Sequence, residues 1–328
     1  MARVNNAALN AAGKAKKDEF YTQLTDIEKE MKYYKPYFKD KTVFMNCDDP
    51  ETSHFWQYFI LNFSVLGLKK IIATHYEIEK PSYKLEYSLL PDKHGQITFD
   101  VIKTPLKQNG DFRSPECIEI LKEADIVVTN PPFSLFREYL SQLIEYKKDF
   151  IILGNINAVT YKEVFPLIMN NKMWLGASIH SGDREFRVAD DYPLNAATYR
   201  VDEQGNKYIR VKGVRWYSNI DYPQRYEDLT LYKTYNENEY PIFDNYNAIN
   251  VNKTSEIPVD YNGVMGVPIT FIDKYNPKQF EIVGRADANI AGENNIYYHN
   301  DGIKDKGGMP CVKGKFIYKR ILIRRVQK

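Results

Sequence analysis

The sequence predicts an α/β protein with a doubly wound, mostly parallel sheet, followed by a less regular, β-rich region. Three observations support this prediction. Short apolar runs alternate with amphipathic segments as far as about residue 175, which is the rhythm of βα units. The tetrapeptide Asn130-Pro131-Pro132-Phe133 closes one apolar run, where a loop at the carboxyl edge of a parallel sheet is expected. From Gly176 onward the segments become short, polar and rich in Tyr, Asn and Gly.

The elements are predicted in order from the N-terminus. A helix is expected over residues 26–37, a strand over 42–46, an aromatic helix over 51–65 and a second strand over 70–74. Two β-rich runs between residues 83 and 106 predict a hairpin inserted into this rhythm. Ser114 and Pro115 begin a helix that ends at Glu123. The motif strand, a helix over 134–146 and a strand over 150–154 follow, and later strands are expected over 266–271 and 316–326.

Composition excludes several classes of protein. With 328 residues and 43% hydrophobic residues, the chain can bury a sizeable core. No apolar stretch approaches the length of a membrane helix, and the N-terminus lacks a signal segment, so we expect a cytoplasmic protein with no membrane partner. Cys47, Cys117 and Cys311 lack metal-ligand or disulfide spacing, and the five histidines are scattered, so no metal site is predicted.

Charge is distributed unevenly along the chain, although its net value is only +2. Residues 1–17 contain four bases and no acid, and residues 301–328 contain nine bases and two acids. Lys14, Lys16 and Lys17, in a basic arm that we expect to be flexible, are therefore candidate contacts to a polyphosphate backbone. The alternative is that both basic ends are solvated and only aid solubility.

The residues Asn130-Pro131-Pro132-Phe133 can hold a planar amine or amide and are the candidate catalytic residues. The Asn130 side-chain oxygen and the Pro131 carbonyl can both accept hydrogen bonds from such a nitrogen, which aims its lone pair at a methyl donor. Phe133 can stack on a base. Two consecutive prolines keep the acceptors rigid. The alternative for so short a motif is an ordinary turn that ends a strand.

Several longer segments resemble the Rossmann-like, S-adenosylmethionine-dependent adenine-N6 DNA methyltransferases, and among them the EcoRI modification methylase family. The segments are residues 17–23, 46–50, 110–114, 124–137, 160–165 and 260–271, and the similarity is weaker between residues 177 and 240. The resemblance implies a methyltransferase fold with a catalytic and cofactor-binding domain over residues 18–175. It also implies a target-recognition region over residues 176–328 that ends in a basic strand, with the basic arm over residues 1–17.

The resemblance also implies which residues bind S-adenosylmethionine. Phe20, Tyr21 and Thr22 would hold its methionine end, although Gln23 stands where the family has proline. Asn46, Asp49 and Pro50 would open the turn after the first strand, although Ser53 and Phe55 stand where glycines are usual. Glu77, or alternatively Glu79, would accept the ribose hydroxyls, and Asp111 with Phe112 would bind the adenine ring. Each acid could instead be a helix cap or a surface charge.

The activity implied by the resemblance is site-specific transfer of a methyl group to adenine N6 in duplex DNA, without a metal and by a monomer. The adenine would be flipped out of the helix and trapped against Phe133. Arg184, Arg187, Arg215 and Trp216 are candidates for reading base edges or wedging between base steps. Alternatively, the arginines are surface or ion-pair residues and Trp216 belongs to the core. The alternatives for the activity are an N-methyltransferase acting on RNA or on protein amides, and a DNA-binding protein that has lost catalysis. A cognate restriction endonuclease, acting separately, is an open question, as is an orphan or phage origin.

Overall fold

The computed structural model describes residues 20–47, 49–77, 82–91, 97–188, 192, 199–288, 295–300, 302 and 307–327. Lys14, Lys16, Lys17 and Glu79 lie outside the described residues. The chain forms two compact units, the first from Met1–Asn155 and Leu175–Tyr222, the second from Ile156–Trp174 and Pro223–Lys328. The chain thus passes between the units three times, once beside the boundary predicted at residue 175.

The first unit contains an eight-stranded sheet and a separate three-stranded sheet. In chain order, the strands that form these sheets are β1 (Thr42–Met45), β2 (Lys70–Thr74), β3 (Tyr83–Pro91), β4 (Ile97–Pro105), β5 (Ile126–Thr129), β6 (Asp149–Asn155), β7 (Trp174–Leu175), β8 (Asp183–Val188), β9 (Tyr199–Val201), β10 (Lys207–Lys212) and β11 (Val214–Ser218). The large sheet has the order β4-β3-β2-β1-β5-β6-β11-β7, and the small sheet has the order β8-β10-β9.

The centre of the large sheet is parallel. Strands β2, β1, β5 and β6 run in one direction, with Val43 opposite Ile126 and Val127 opposite Phe150. All four residues of β1 and of β5 are buried, as expected for strands covered on both faces. The β3–β4 hairpin and β11 extend the sheet with antiparallel pairs on its two sides. The predicted α/β class and inserted hairpin are therefore confirmed.

Strand β1 lies between β2 and β5, so the chain leaves β1 toward one side of the sheet and reaches β5 on the other. At such a point of an open α/β sheet, the loops at the carboxyl ends of the two strands diverge and leave a crevice. The loops concerned follow Met45 and Thr129, and the second of them begins with Asn130. The topology thus places the motif at the position where ligands are expected.

Side-chain caps account for the start of two of the helices in the described residues. The helices in those residues are α1 (Leu24–Met31), α2 (His54–Leu61), α3 (Phe63–Leu66), α4 (Pro115–Glu123), α5 (Phe136–Glu145) and, in the second unit, α6 (Phe165–Met169). Ser114 Oγ accepts a hydrogen bond from the Cys117 backbone N–H at 3.2 Å, which confirms the predicted start of α4. The single helix predicted over 51–65 is two helices that meet at Asn62, and the helix predicted over 26–37 ends at Met31.

The chain enters the small sheet through a segment fixed by a buried carboxylate. Glu30, near the end of α1, is fully buried and accepts hydrogen bonds from the backbone N–H groups of Ala177 and Ser178, each at 2.8 Å, and from Tyr34 Oη. Burial is the largest effect on the carboxyl of Glu30 and raises its pKa, although these hydrogen bonds oppose the change. The recognition region predicted after Gly176 therefore begins at a point anchored to α1.

The second unit contains a four-stranded sheet of order β12-β13-β17-β14 and a small hairpin. Its strands are β12 (Ile249–Asn250), β13 (Met265–Pro268), β14 (Phe280–Ala286), β15 (Cys311–Val312), β16 (Lys315–Phe316) and β17 (Arg320–Arg325). The strand predicted over 266–271 ends at Pro268 because Ile269–Lys274 turns into a 3-10 helix. The basic strand predicted over 316–326 is divided between β16 and β17. Within the described ranges, no helix has the length and apolar character needed to cross a membrane.

Candidate active site

The side chain of Asn130 is held in one orientation at the end of β5. It is 3% exposed, and its Nδ2 donates a hydrogen bond of 2.6 Å to the backbone carbonyl of Phe20. Its Oδ1 is buried and accepts no hydrogen bond from any residue that the structure describes. Because a buried amide oxygen is normally paired, this atom is available for a donor that the chain itself does not supply. An amine of a substrate is such a donor.

The rest of the motif forms a tight turn. Pro131 is buried, and the Pro132 carbonyl accepts a hydrogen bond of 2.9 Å from the Leu135 backbone N–H, which begins the 3-10 helix Phe133–Leu135. The half-buried ring of Phe133 packs edge to face on Phe20, with ring centroids 5.8 Å apart. Phe133 thus keeps part of its surface accessible, as a residue that stacks on a base must.

Phe20, Tyr21 and Thr22 are tied to both the motif and the small sheet. Besides accepting the Asn130 hydrogen bond, Phe20 packs its ring 5.7 Å from that of Phe186 on β8. Tyr21 and Arg187 exchange two backbone hydrogen bonds, of 2.9 and 3.3 Å. The Thr22 carbonyl lies 2.7 Å from His54 Nδ1, at the start of α2. His54 is not among the predicted site residues, since its partner is 32 residues away.

A buried polar network follows β1. Asn46 is 3% exposed, and its Oδ1 accepts hydrogen bonds from Tyr139 Oη of α5 and, at 3.6 Å, from Cys47 Sγ. Tyr139 is fully buried, which raises its pKa. Its ring packs edge to face on Phe112, with centroids 5.0 Å apart. Tyr139 therefore positions two residues of the predicted cofactor site, a role that the sequence does not indicate because it shows only an apolar helix face.

Side-chain hydrogen bonds stabilise the turn after Asn46. Asp49 Oδ1 accepts hydrogen bonds from Tyr83 Oη at 2.8 Å and from the Glu51 backbone N–H at 3.1 Å. Burial, followed by this contact with Asp49, raises the pKa of Tyr83. Pro50 is buried, and Ser53 caps α2 by accepting a hydrogen bond of 3.2 Å from the Phe55 backbone N–H. Ser53 therefore acts as the N-cap of α2.

The loops that contain Glu77 and Asp111 lie against each other. Gly110 has a φ of +78°, and a Cβ at this position would lie 1.9 Å from the His75 carbonyl oxygen, so only glycine fits. The Glu77 backbone N–H donates a hydrogen bond of 3.2 Å to the Asn109 carbonyl. The structure thus brings half-buried Glu77 close to the loop that contains Asp111 and Phe112, at the carboxyl end of β2.

Asp111 is a carboxylate held by one arginine. The Arg113 guanidinium donates hydrogen bonds of 2.9 and 2.6 Å to the two carboxylate oxygens, and the Arg113 backbone N–H adds one of 2.8 Å. The Arg113 guanidinium holds the pKa of Asp111 below its ordinary value. Asp111 is therefore an ionised acceptor at neutral pH. Phe112 beside it is 5% exposed, and the Arg113 guanidinium carbon lies 5.1 Å from the centre of its ring.

Several buried polar atoms at this edge of the sheet have no hydrogen-bond partner in the part of the chain that the structure describes. Among the residues that the structure describes, Thr22 Oγ1, His75 Nδ1, Thr129 Oγ1 and Asn130 Oδ1 are buried and have no hydrogen-bond partner. They belong to the N-terminal segment and to the carboxyl ends of β2 and β5. Such atoms are rare in folded proteins and require an explanation, and a polar ligand at this edge supplies one.

The predicted DNA contacts have different surroundings. Arg187 is half-buried on β8, whereas Arg184 lies on the face of β8 that carries buried Phe186, with its Nε 3.9 Å from an Asp26 carboxylate oxygen. Arg215 is 4% exposed and donates hydrogen bonds to the carbonyls of Val214 and His180, at 2.8 and 2.7 Å.

The structure supports the alternative for Trp216, which is a core residue. It is fully buried in β11 and packs edge to face on Phe55, with ring centroids 6.1 Å apart. A wedge between base steps or a base-reading arginine must be accessible, so the structure does not support Trp216 or Arg215 in these roles. Both stabilise the central sheet instead, because β11 pairs with β6 inside it.

Comparisons with known proteins all indicate one family. The family model described as adenine-specific methyltransferase EcoRI matches residues 8–326. The chain is 46% identical to the type II methyltransferase M.EcoRI of Escherichia coli over the full length of both proteins. It is 38% identical to the type II methyltransferase M.MpnI of Mycoplasma pneumoniae, with 97% of this chain and 98% of that protein covered. No solved structure is significantly similar to the chain. The chain therefore belongs to the EcoRI family of adenine-specific methyltransferases.

Proposed function

We propose that the chain transfers a methyl group from S-adenosylmethionine to N6 of an adenine at a specific site in duplex DNA. Membership of an adenine-specific methyltransferase family supports the reaction. The observation that carries the proposal is the Asn130 amide, whose nitrogen is committed to the Phe20 carbonyl while its buried oxygen is left as an acceptor. A catalyst of amine methylation needs this arrangement because the oxygen must accept a hydrogen bond from the reacting nitrogen.

The residues of the motif would act on the amine of a flipped adenine. Asn130 Oδ1 and the Pro131 carbonyl would accept its two N–H groups, which draws the nitrogen lone pair out of the ring and directs it at the methyl carbon. Phe133 would stack on the base and offset part of the cost of flipping, which is on the order of a few kcal/mol. N6 would form its bond to the methyl carbon as the bond between that carbon and the sulfonium sulfur breaks, which leaves a thioether, and N6 would then release one proton to solvent. No residue of the chain forms a covalent bond in this scheme.

The cofactor would supply a methyl group that a sulfonium makes electrophilic. The residues proposed to bind it are Phe20, Tyr21, Thr22, Asn46, Asp49, Pro50, Glu77, Asp111 and Phe112. Their environment fits such a ligand, since Asp111 is kept ionised as an acceptor and buried Thr22 Oγ1 and His75 Nδ1 have no described partner. Glu77 would accept the ribose hydroxyls, and the tight contact at Gly110 keeps its loop beside Asp111.

The sheet topology is the reason that we propose a Rossmann-like, doubly wound methyltransferase fold for the first unit. Its parallel order β2-β1-β5-β6 and the divergence of the chain between β1 and β5 support this assignment. All the residues proposed for catalysis and cofactor binding lie in the first unit of one chain, which supports a monomer. Residues 176–328 would recognise the target, aided by the basic arm, and the DNA substrate implies a cytoplasmic location.

A methyl-transfer assay with two matched variants tests the proposal. We expect the chain to methylate adenine in duplex DNA, and Asn130→Ala to lose about 10²- to 10³-fold in kcat, the loss typical of one preorganised hydrogen-bonding group. Cofactor affinity, measured by calorimetry, should fall far less than kcat, by at most about tenfold or 1.4 kcal/mol, because the variant also removes the Asn130 hydrogen bond to the Phe20 carbonyl. Asn170→Ala is the control because Asn170 is exposed and hydrogen-bonds only within its own helical turn. An active Asn130→Ala variant would refute the proposed mechanism.

A further inference from the structure

The three-stranded sheet β8-β10-β9 has one apolar face and one charged face. Phe186, Val188, Ile209 and Val211 are each at most 3% exposed and form the apolar face. Side chains alternate along a strand, so the intervening residues point to the opposite side. The strand register places seven residues on that side, which we call the outer face: Asp183, Glu185, Arg187, Arg200, Tyr208, Arg210 and Lys212.

The outer face is basic, because it has four bases and two acids. Arg200 and Glu185 form a two-point ion pair with distances of 3.2 and 2.7 Å, and the Arg200 guanidinium lies 4.2 Å from the centre of the Tyr208 ring. Arg210 and Lys212 are both exposed. The charge of Arg200 is thus largely compensated by Glu185, which also lies opposite Arg210 and interacts with its charge. The side chains of Arg210 and Lys212 remain exposed.

The outer face is connected to the Asn130 motif by hydrogen bonds through the Phe20-Tyr21 segment. Arg187, on the outer face, exchanges hydrogen bonds with Tyr21, and the preceding residue Phe20 accepts the hydrogen bond from Asn130. Neighbouring strands lie about 4.8 Å apart, so β10 is only two such steps from the Phe20-Tyr21 segment. The apolar face, through Phe186, is the one that packs on Phe20, so the outer face is on the other side of the small sheet, within about 10 Å of the segment that holds Asn130. A duplex that delivers an adenine to Asn130 is wide enough to extend over that distance.

We propose that the outer face binds the phosphate backbone of the target duplex, with Arg210 and Lys212 as phosphate contacts. In this arrangement Glu185 limits the binding strength because it compensates the charge of Arg200. Phosphate contacts position a duplex without reading its sequence, and β-sheets are known to present such contacts. The proposal rests on the proposed function for its partner, since duplex DNA is the polyanion that the active site requires.

Salt-dependent binding to duplex DNA tests the proposal. Each phosphate contact adds about 0.9 to the slope of log affinity against log salt concentration. We expect Arg210→Ala and Lys212→Ala each to lower that slope by about one and to weaken binding to all sequences alike. Glu185→Gln should have the opposite effect, because it frees Arg200 to contact a phosphate, so affinity should rise and the slope should become steeper.

Controls of equal charge change are available on α4. Lys122 and Glu119 form an exposed ion pair of 2.6 Å outside the outer face, so Lys122→Ala and Glu119→Gln change the net charge by the same amounts. The proposal is overturned if the slopes for Arg210→Ala and Lys212→Ala match the slope for Lys122→Ala, or if Glu185→Gln behaves like Glu119→Gln. Circular dichroism of each variant shows whether the fold is retained.

The failure of this proposal and the failure of the proposed function give different results. If the wild-type chain methylates adenine while the outer-face variants bind DNA like their controls, only the phosphate-binding surface is refuted. If the chain binds DNA through the outer face but transfers no methyl group to adenine, the proposed function is refuted and the surface assignment stands.

Discussion

The contact at Gly110 allows a prediction that separates cofactor binding from catalysis. In Gly110→Ala, the new Cβ would meet the His75 carbonyl oxygen at 1.9 Å and Ser82 Oγ at 2.5 Å. The two loops must then move apart, and the hydrogen bond between the Glu77 N–H and the Asn109 carbonyl is strained or lost. Because Glu77 and Asp111 are proposed to bind the same cofactor, their separation should weaken its binding.

The magnitude follows from two effects. A left-handed backbone costs an L residue about 1–2 kcal/mol. Forcing a methyl group into a closed contact costs a further 1–3 kcal/mol or so. Gly205 isolates the first effect, because its φ is +83° but a Cβ added there would have no atom within 4 Å. We therefore expect a loss of about 2–5 kcal/mol in unfolding free energy for Gly110→Ala and about 1–2 kcal/mol for Gly205→Ala.

Urea denaturation and calorimetry with S-adenosylmethionine measure the two consequences. Gly110→Ala should raise the cofactor Kd by about tenfold or more, which corresponds to about 1.4 kcal/mol, whereas Gly205→Ala should leave it unchanged. At saturating cofactor the Gly110 variant should keep most of its kcat, because Asn130 and Phe20 are on other segments. If both variants lose the same stability and bind the cofactor equally well, the contact at Gly110 does not hold the Glu77 and Asp111 loops together.

Three further predictions concern buried or ionised groups. Tyr139→Phe should destabilise the fold by about 1–3 kcal/mol and raise the cofactor Kd. The reason is that Asn46 Oδ1 loses a buried donor, although the ring contact with Phe112 is retained. Unchanged cofactor binding would contradict the positioning role of Tyr139. Glu30→Gln should lower the free energy of unfolding by about 1–3 kcal/mol, because an amide has one acceptor oxygen, whereas the carboxylate accepts backbone N–H groups through both of its oxygens. Glu28→Gln is the control, since Glu28 is exposed. Equal stabilities of the two variants would contradict the role of Glu30 in fixing Ala177 and Ser178. Arg113→Ala should lower stability by up to about 1 kcal/mol at pH 7. The difference from wild type should begin to shrink near the ordinary Asp pKa of about 3.9 and be lost as the pH falls through the lowered pKa of Asp111, because protonation of that carboxyl removes its stabilising pair. A difference that grows on acidification would be inconsistent with this sign.

Much of the first unit follows from local sequence patterns and could be predicted. The apolar runs of β1, β2, β5 and β6 are short and bounded by turn residues, and the Ser114-Pro115 pair marks a helix start without reference to any distant residue. The same holds for the Asn130 motif, whose position after a buried strand is sufficient to place it at the sheet edge. Strand periodicity and capping depend on neighbours in sequence, so one chain suffices to show them.

The remainder depends on contacts between distant segments. The polar, Tyr-rich stretch around Trp216 leaves a DNA wedge and a core residue both open, and the pairing of β11 with β6 makes this residue part of the core. His54 and Tyr139 are not predicted as site residues because their partners, Thr22 and Asn46, are 32 and 93 residues away. Sequence patterns give the burial of such residues but not the identity of a remote hydrogen-bond partner.

Mapping methylated adenines tests the central claim most directly. DNA from a methylation-deficient bacterial host that expresses the chain should contain N6-methyladenine at one recurring sequence, and DNA from a host that expresses Asn130→Ala should contain none. The Asn130 variant must be shown to fold and to bind S-adenosylmethionine, so that its inactivity reports on chemistry. Methylation that persists in the Asn130 variant, or a wild-type chain that leaves every adenine unmodified, would contradict the proposed mechanism.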